Sequence, residues 1–152
     1  MRSKTLIHRL FVLLAACALL AGAQAHAGQY KKFGDYQVHY SIFPSSFLTP
    51  EVAAQYGIVR SKSIGIVNVS ILEKTEQGGL QPVSGQVEGQ VMNDIRQSRF
   101  LGFRRISEGK ATYYIAEFQF SDGELLTFQL EANVPGTRDP MPIRVAQTLV
   151  ND

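Results

Sequence analysis

Residues Thr112–Leu130 read TYYIAEFQFSDGELLTFQL, and their pattern decides the fold. Thr112, Tyr114, Ala116, Phe118 and Phe120 fall on one face of an extended chain, with Tyr113, Ile115 and Glu117 on the other. A period of two marks a β-strand, because successive side chains point to opposite sides. Asp122-Gly123 is a strong turn dipeptide and predicts a hairpin. Beyond it Leu126, Phe128 and Leu130 alternate with Thr127, Gln129 and Glu131.

The same period extends outward in both directions. Tyr36, Val38, Tyr40 and Ile42 alternate with Gln37, His39 and Ser41, and Pro44 ends that strand. Ile64 to Leu72 is a β-branched run suited to a buried strand. Glu76-Gln77-Gly78-Gly79 supplies a turn, after which Val83, Gly85, Val87, Gly89 and Val91 share a face. Phe100 to Ile106 is a further strand, Glu108-Gly109 a hairpin turn, Pro135-Gly136 another turn, and Ile143, Val145 and Leu149 a last strand. One short helix is predicted near 50–56: Thr49 caps it, Pro50 suits its first turn and Gly57 stops it. About seven strands with regular turns predict an all-β antiparallel β-sandwich of immunoglobulin-like size. The cysteine pair and tryptophan of antibody domains are missing, so the likeness is architectural. A small barrel is the structural alternative.

The chain is 152 residues long, but its first 27 do not read as fold. Arg2, Lys4 and Arg9 precede an apolar run from Leu10 to Leu20, followed by Ala25-His26-Ala27. This is the anatomy of a secretory signal peptide with cleavage after Ala27. The apolar run falls short of the roughly 20 residues that a membrane span needs. Cleavage leaves 28–152 as one expected domain. Removing three of the 15 basic residues leaves 12 against 13 acidic ones, a net charge of −1. Cys17 sits in a lipobox-like Leu14-Ala15-Ala16-Cys17, and would make the protein a lipoprotein if used. The chain stays apolar after Cys17, and a good cleavage site follows at Ala27, so soluble export to the periplasm is the favoured reading.

Several segments resemble a known family: Phe33-Gly34-Asp35-Tyr36 with Val38-His39-Tyr40, Phe47-Leu48-Thr49-Pro50-Glu51-Val52-Ala53, Tyr56-Gly57-Ile58 with Arg60-Ser61, and Tyr113-Tyr114-Ile115-Ala116. Over nearly all of 28–152 the chain resembles uncharacterised exported proteins of Gram-negative bacteria that share a domain of unknown function. The resemblance implies a periplasmic setting and a β-rich fold. It assigns no activity, and no functional residue is carried over from it.

Catalytic and metal chemistry find little support. His39 is the sole histidine after Ala27, on a polar strand face with Gln37 and Ser41, and no cysteine follows Cys17. A nucleophile–base–orienter set is therefore not legible. Ser107-Glu108-Gly109-Lys110 has the S-x-x-K spacing, but it falls on a predicted turn and lacks the companion motifs. With one histidine and only Met92 and Met141 beyond it, no metal set forms. No catalytic residue, metal or cofactor is assigned. Glu73 with Glu76, and Asp122 with Glu124, flank turns where carboxylates are normally solvated. Gly85 and Gly89 leave room on one strand face, which an opposing aromatic such as Phe118 or Phe128 is expected to fill.

The remaining candidate site is a run of arginines: Arg96, Arg99, Arg104 and Arg105, interleaved with Phe100 and Phe103. Guanidinium groups beside aromatic rings suit phosphate, carboxylate or acidic glycans. The competing reading is a strand edge kept soluble by charge. Together these features predict a non-catalytic periplasmic binding or accessory module that recognises an envelope protein or an anionic glycan or small ligand. Nucleic acid is excluded by compartment. The alternatives are an envelope hydrolase assembled from distant loops and a lipid-anchored structural protein.

Overall fold

A computed structural model of the chain describes residues 29–151. The signal segment, Cys17 and the cleavage point after Ala27 lie outside the described residues. Ten strands are present among the described residues: β1 (Gln29–Phe33), β2 (Tyr36–Pro44), β3 (Ile64–Lys74), β4 (Leu80–Pro82), β5 (Gln86–Met92), β6 (Ser98–Leu101), β7 (Arg104–Glu108), β8 (Ala111–Gln119), β9 (Glu124–Asn133) and β10 (Met141–Leu149). One sheet runs β1-β2-β3-β8-β7, with β4 also paired to β3. The other runs β10-β9-β5-β6, and all pairings are antiparallel. No strand belongs to both sheets, so the architecture is the sandwich and not the barrel alternative.

The inward positions of both sheets form one core that includes Val38, Val67, Val69, Ile71, Val91, Tyr114, Phe118, Leu126, Phe128 and Ile143. Phe128 is fully buried and meets Phe118 edge-on, with ring centroids 5.0 Å apart. That tilt suits the opposed charge of ring edge and ring face. Gly65 is the glycine that makes room for an aromatic, since a Cβ there would come within 2.2 Å of the Phe118 ring. Gly85 and Gly89 do not receive Phe118 or Phe128. A Cβ at Gly85 would strike the Asn133 carbonyl oxygen at 2.2 Å, and one at Gly89 the Gln129 carbonyl oxygen at 2.7 Å. Their smallness admits the neighbouring backbone.

Two local expectations change. The Asp122-Gly123 turn joins β8 to β9, but those strands lie in different sheets and do not pair. The turn is tied to the chain's end instead: Gly123 N–H donates to the Leu149 carbonyl at 2.7 Å, and Asn151 N–H to Asp122 Oδ1 at 2.7 Å. The buried faces around Phe120 and Leu126 must close over one core, so the chain arches between layers. Likewise 100–106 is not one strand. It switches sheets at Gly102-Phe103, with Leu101 ending β6 and Arg104 opening β7. Helix α1 (Pro50–Gln55) forms as expected, with Thr49 Oγ1 accepting from Val52 N–H at 3.3 Å and Gly57 at φ 66° after its end. β1 and β4 carry no clear alternation and are visible only through their partners.

Candidate functional site

Strand alternation settles where the four arginines go. Arg96 lies on the β5–β6 connection in the left-handed region, φ 62°, where Asn93 and Gln97 bond across the loop. Arg99 stands on the inward side of β6 at the open edge, and its guanidinium donates to the Gln119 carbonyl at 2.7 Å, linking the two sheets. Arg104 and Arg105 are neighbours on β7 and therefore point to opposite sides. Arg104 donates to the Tyr56 carbonyl at the end of α1. Arg105 faces a depression beside Gly85 and Thr137. The structure does not bring the four to one face.

The other sequence candidates are held by local bonds. His39 stacks beneath Tyr30, centroids 4.9 Å apart, and bonds Gln37 at 3.0 Å; its burial lowers the imidazole pKa. Glu124 accepts from Ser121 N–H at 2.8 Å, which leaves that carboxylate a turn-capping role alongside Asp122. Ser107 and Lys110 flank the β7–β8 turn, with Gly109 at φ 58°. Glu108 between them accepts from the Tyr56 hydroxyl, which is pushed up to about 12, first by that bond and then by burial.

A broad concave surface lies on the solvent face of the four-stranded sheet, a groove of ≈790 Å³. Its floor follows from register. Gln90 stands opposite Gln129, their amides bonded at 2.7 Å, with Arg144 beyond. Glu88 stands opposite Glu131, with Pro142 beyond. Phe100 of β6, 92% exposed, forms one wall, and Lys31 of the other sheet reaches the Pro142 carbonyl at 3.4 Å. The sequence shows Glu88, Gln129, Glu131 and Arg144 as polar positions on separate strands. Their juxtaposition needs the pairing of β5, β9 and β10, which alternation alone does not supply. Like charges directly opposite on a sheet are an unfavourable cross-strand pair, and of the two carboxylates Glu131 is held by the Asn133 amide, which donates to it at 3.3 Å.

The structure thus defines a two-layer antiparallel β-sandwich with a grooved outer sheet. The chain belongs to the family described as Domain of unknown function (DUF4426), whose model matches residues 30–152. A solved member of that family from Pseudomonas aeruginosa PAO1 is 36% identical, with a TM-score of 0.70 over 83% of this chain and 97% of its own. FetP of uropathogenic Escherichia coli strain F11, recombinantly expressed in the periplasm of E. coli BL21(DE3), shares the fold at 11% identity and TM-score 0.55, over 82% of this chain and 94% of its own. A copper-bound FetP variant matches at 12% identity and TM-score 0.59, over 82% and 96%. The search of curated proteins returned no match.

A copper site does not fit the donors among the described residues. Met92 is on the outer face of the four-stranded sheet, Met141 is buried in the core, and His39 is on the outer face of the other sheet. No group of three or more His, Cys, Asp or Glu side chains able to hold a metal occurs among the described residues. No helix among them is long and apolar enough to cross a membrane.

Proposed function

We infer that this protein is an exported, periplasmic, non-catalytic binding module whose outer-sheet groove takes an extended segment of an envelope protein. Phe100 carries the reading: an aromatic ring 92% exposed on a regular strand, walling a ≈790 Å³ groove. Aromatic side chains are enriched at interfaces, and one presented on a rigid strand is a typical anchor. The floor mixes Glu88 and Glu131 with Arg144 and Lys31. Mixed charge suits a polypeptide carrying both signs better than a purely anionic ligand. A partner lysine or arginine would also relieve the Glu88–Glu131 repulsion. The periplasmic setting rests on the signal anatomy of 1–27.

The competing arginine-face version assigns recognition to Arg96, Arg99, Arg104 and Arg105. Envelope capture with tagged protein separates the two. Phe100→Ser is expected to lose the partner that wild type retains, whereas Arg104→Ala/Arg105→Ala keeps it. Loss in the arginine variant with retention in Phe100→Ser would move the site to the arginines and sink the groove reading.

A further inference from the structure

The four-stranded sheet ends on one side in β6 and on the other in β10. Pairing along the β5–β6 hairpin is fixed by Asn93, whose N–H donates to the Gln97 carbonyl at 3.0 Å. Antiparallel strands alternate residues that bond the partner strand with residues whose N–H and C=O turn away from it. Counting in twos from Asn93 and Gln97, the bonded pairs are Val91 with Arg99 and Gly89 with Leu101. The backbone N–H and C=O of Ser98 and Phe100 therefore face outward, and both residues are exposed. The same count carried through β5 and β9 turns Pro142 outward on β10. Proline offers no N–H there, and its carbonyl accepts from Lys31 at 3.4 Å, so that edge is blunted. β6 has no such cover. Its charged side chain, Arg99, is drawn across to the Gln119 carbonyl of the other sheet.

We propose that an extended polypeptide segment of the partner pairs with β6 as a fifth strand of this sheet. The inference rests on the groove reading for the partner itself and adds how that partner is held. Outward N–H and C=O groups at every second residue match the backbone of another strand, and open sheet edges take up extended peptides in this way. Exposed apolar side chains mark the same edge. Phe100 is 92% exposed, and Ile95 at the hairpin tip is 70% exposed. The tip is held by three bonds between Asn93 and Gln97, with Arg96 at φ 62°. Backbone in that region persists only where its surroundings hold it, and it clusters at binding sites. Phe100 stands between the groove and a slot at the β6 edge lined by Arg99, Glu117 and Phe118. An added strand covers the ring from the slot side. Its recognition needs one apolar side chain opposite Phe100 and otherwise reads backbone.

The test is envelope capture with tagged Ser98→Pro and Ser98→Ala. Proline at 98 deletes an outward N–H and sets its ring where the added strand would lie, while the β5–β6 bonds stay intact. Its urea midpoint is expected to match wild type. Retained partner is expected to fall about tenfold or more in Ser98→Pro, through one lost main-chain bond and the obstructing ring, and to stay at the wild-type level in Ser98→Ala. Amide hydrogen exchange is a second measurement, which decides if the proline variant does not fold. In the free protein Ser98 and Phe100 amides are expected to exchange fast, and Arg99 and Leu101 slowly. With the captured partner bound, Ser98 and Phe100 should slow as well. Strand addition is overturned by wild-type retention in a folded Ser98→Pro, by equal loss in Ser98→Ala, or by Ser98 and Phe100 amides that stay fast in the complex. The groove reading survives any of these if Phe100→Ser still loses the partner. Loss in Ser98→Pro with retention in Phe100→Ser upholds strand addition and removes the groove, and capture of no partner overturns both.

Discussion

Tyr114→Phe removes a single oxygen and tests how the two sheets are joined. Tyr114 sits on β8 with its ring 5% exposed, and its hydroxyl reaches Gly85, just before β5 in the other sheet. It accepts from Gly85 N–H at 2.8 Å and donates to Gly85 C=O at 3.0 Å. Phenylalanine keeps the ring packing and leaves both backbone groups unpartnered. Two bonds at about 0.5–1.5 kcal/mol each give a loss of about 2 kcal/mol. For a domain of this size that lowers Tm by roughly 8 °C. Equilibrium urea unfolding is the assay, with the midpoint falling and m unchanged, since the surface exposed on unfolding is the same. Gly85→Ala disturbs the same junction by pressing a Cβ against Asn133, so the double variant is expected to be less than additive. A Tyr114→Phe protein within about 0.5 kcal/mol of wild type would refute the reasoning, because that is the smallest net worth of even one such bond.

Arg96→Gly is expected to stabilise the fold by about 1 kcal/mol in the same assay, since Arg96 holds φ 62° at the cost a side chain carries there. Burial lowers the His39 pKa from its ordinary 6.5, so below that value the unfolded chain binds more protons. Stability should therefore rise with pH through the window just under 6.5, and His39→Gln should flatten that rise. The Tyr56 hydroxyl, pushed up to about 12 from 10.0, favours its neutral form in the fold. Its contribution is intact below pH 10 and lost toward 12, and Tyr56→Phe should delete the highest step in an ultraviolet tyrosine titration.

How much was legible follows from what each pattern encodes. Alternation encodes which side a residue faces, and it located β2, β3, β8 and β9 closely, along with the α1 cap at Thr49 and stop at Gly57. It does not encode which strand lies alongside. Asp122-Gly123 therefore read as a hairpin when it is an arch between sheets. The break at Gly102-Phe103 was hidden for the same reason: an alternating run looks continuous whether or not it changes layers. Adjacency in sequence also made the arginines look like one site. Arg104 and Arg105 are one residue apart and so face opposite ways, which the period of two implies once β7 is placed. The groove was harder to foresee, because Glu88 with Glu131 and Gln90 with Gln129 meet only through long-range register.

The measurement closest to the central claim is photo-crosslinking in the living envelope, with a photoreactive residue at position 100 in the groove or at Ser70 on the outer face of the other sheet. The expected result is one discrete protein adduct from position 100 and none from position 70. Adducts from position 70 alone, or from neither position, would contradict the groove as the site of recognition.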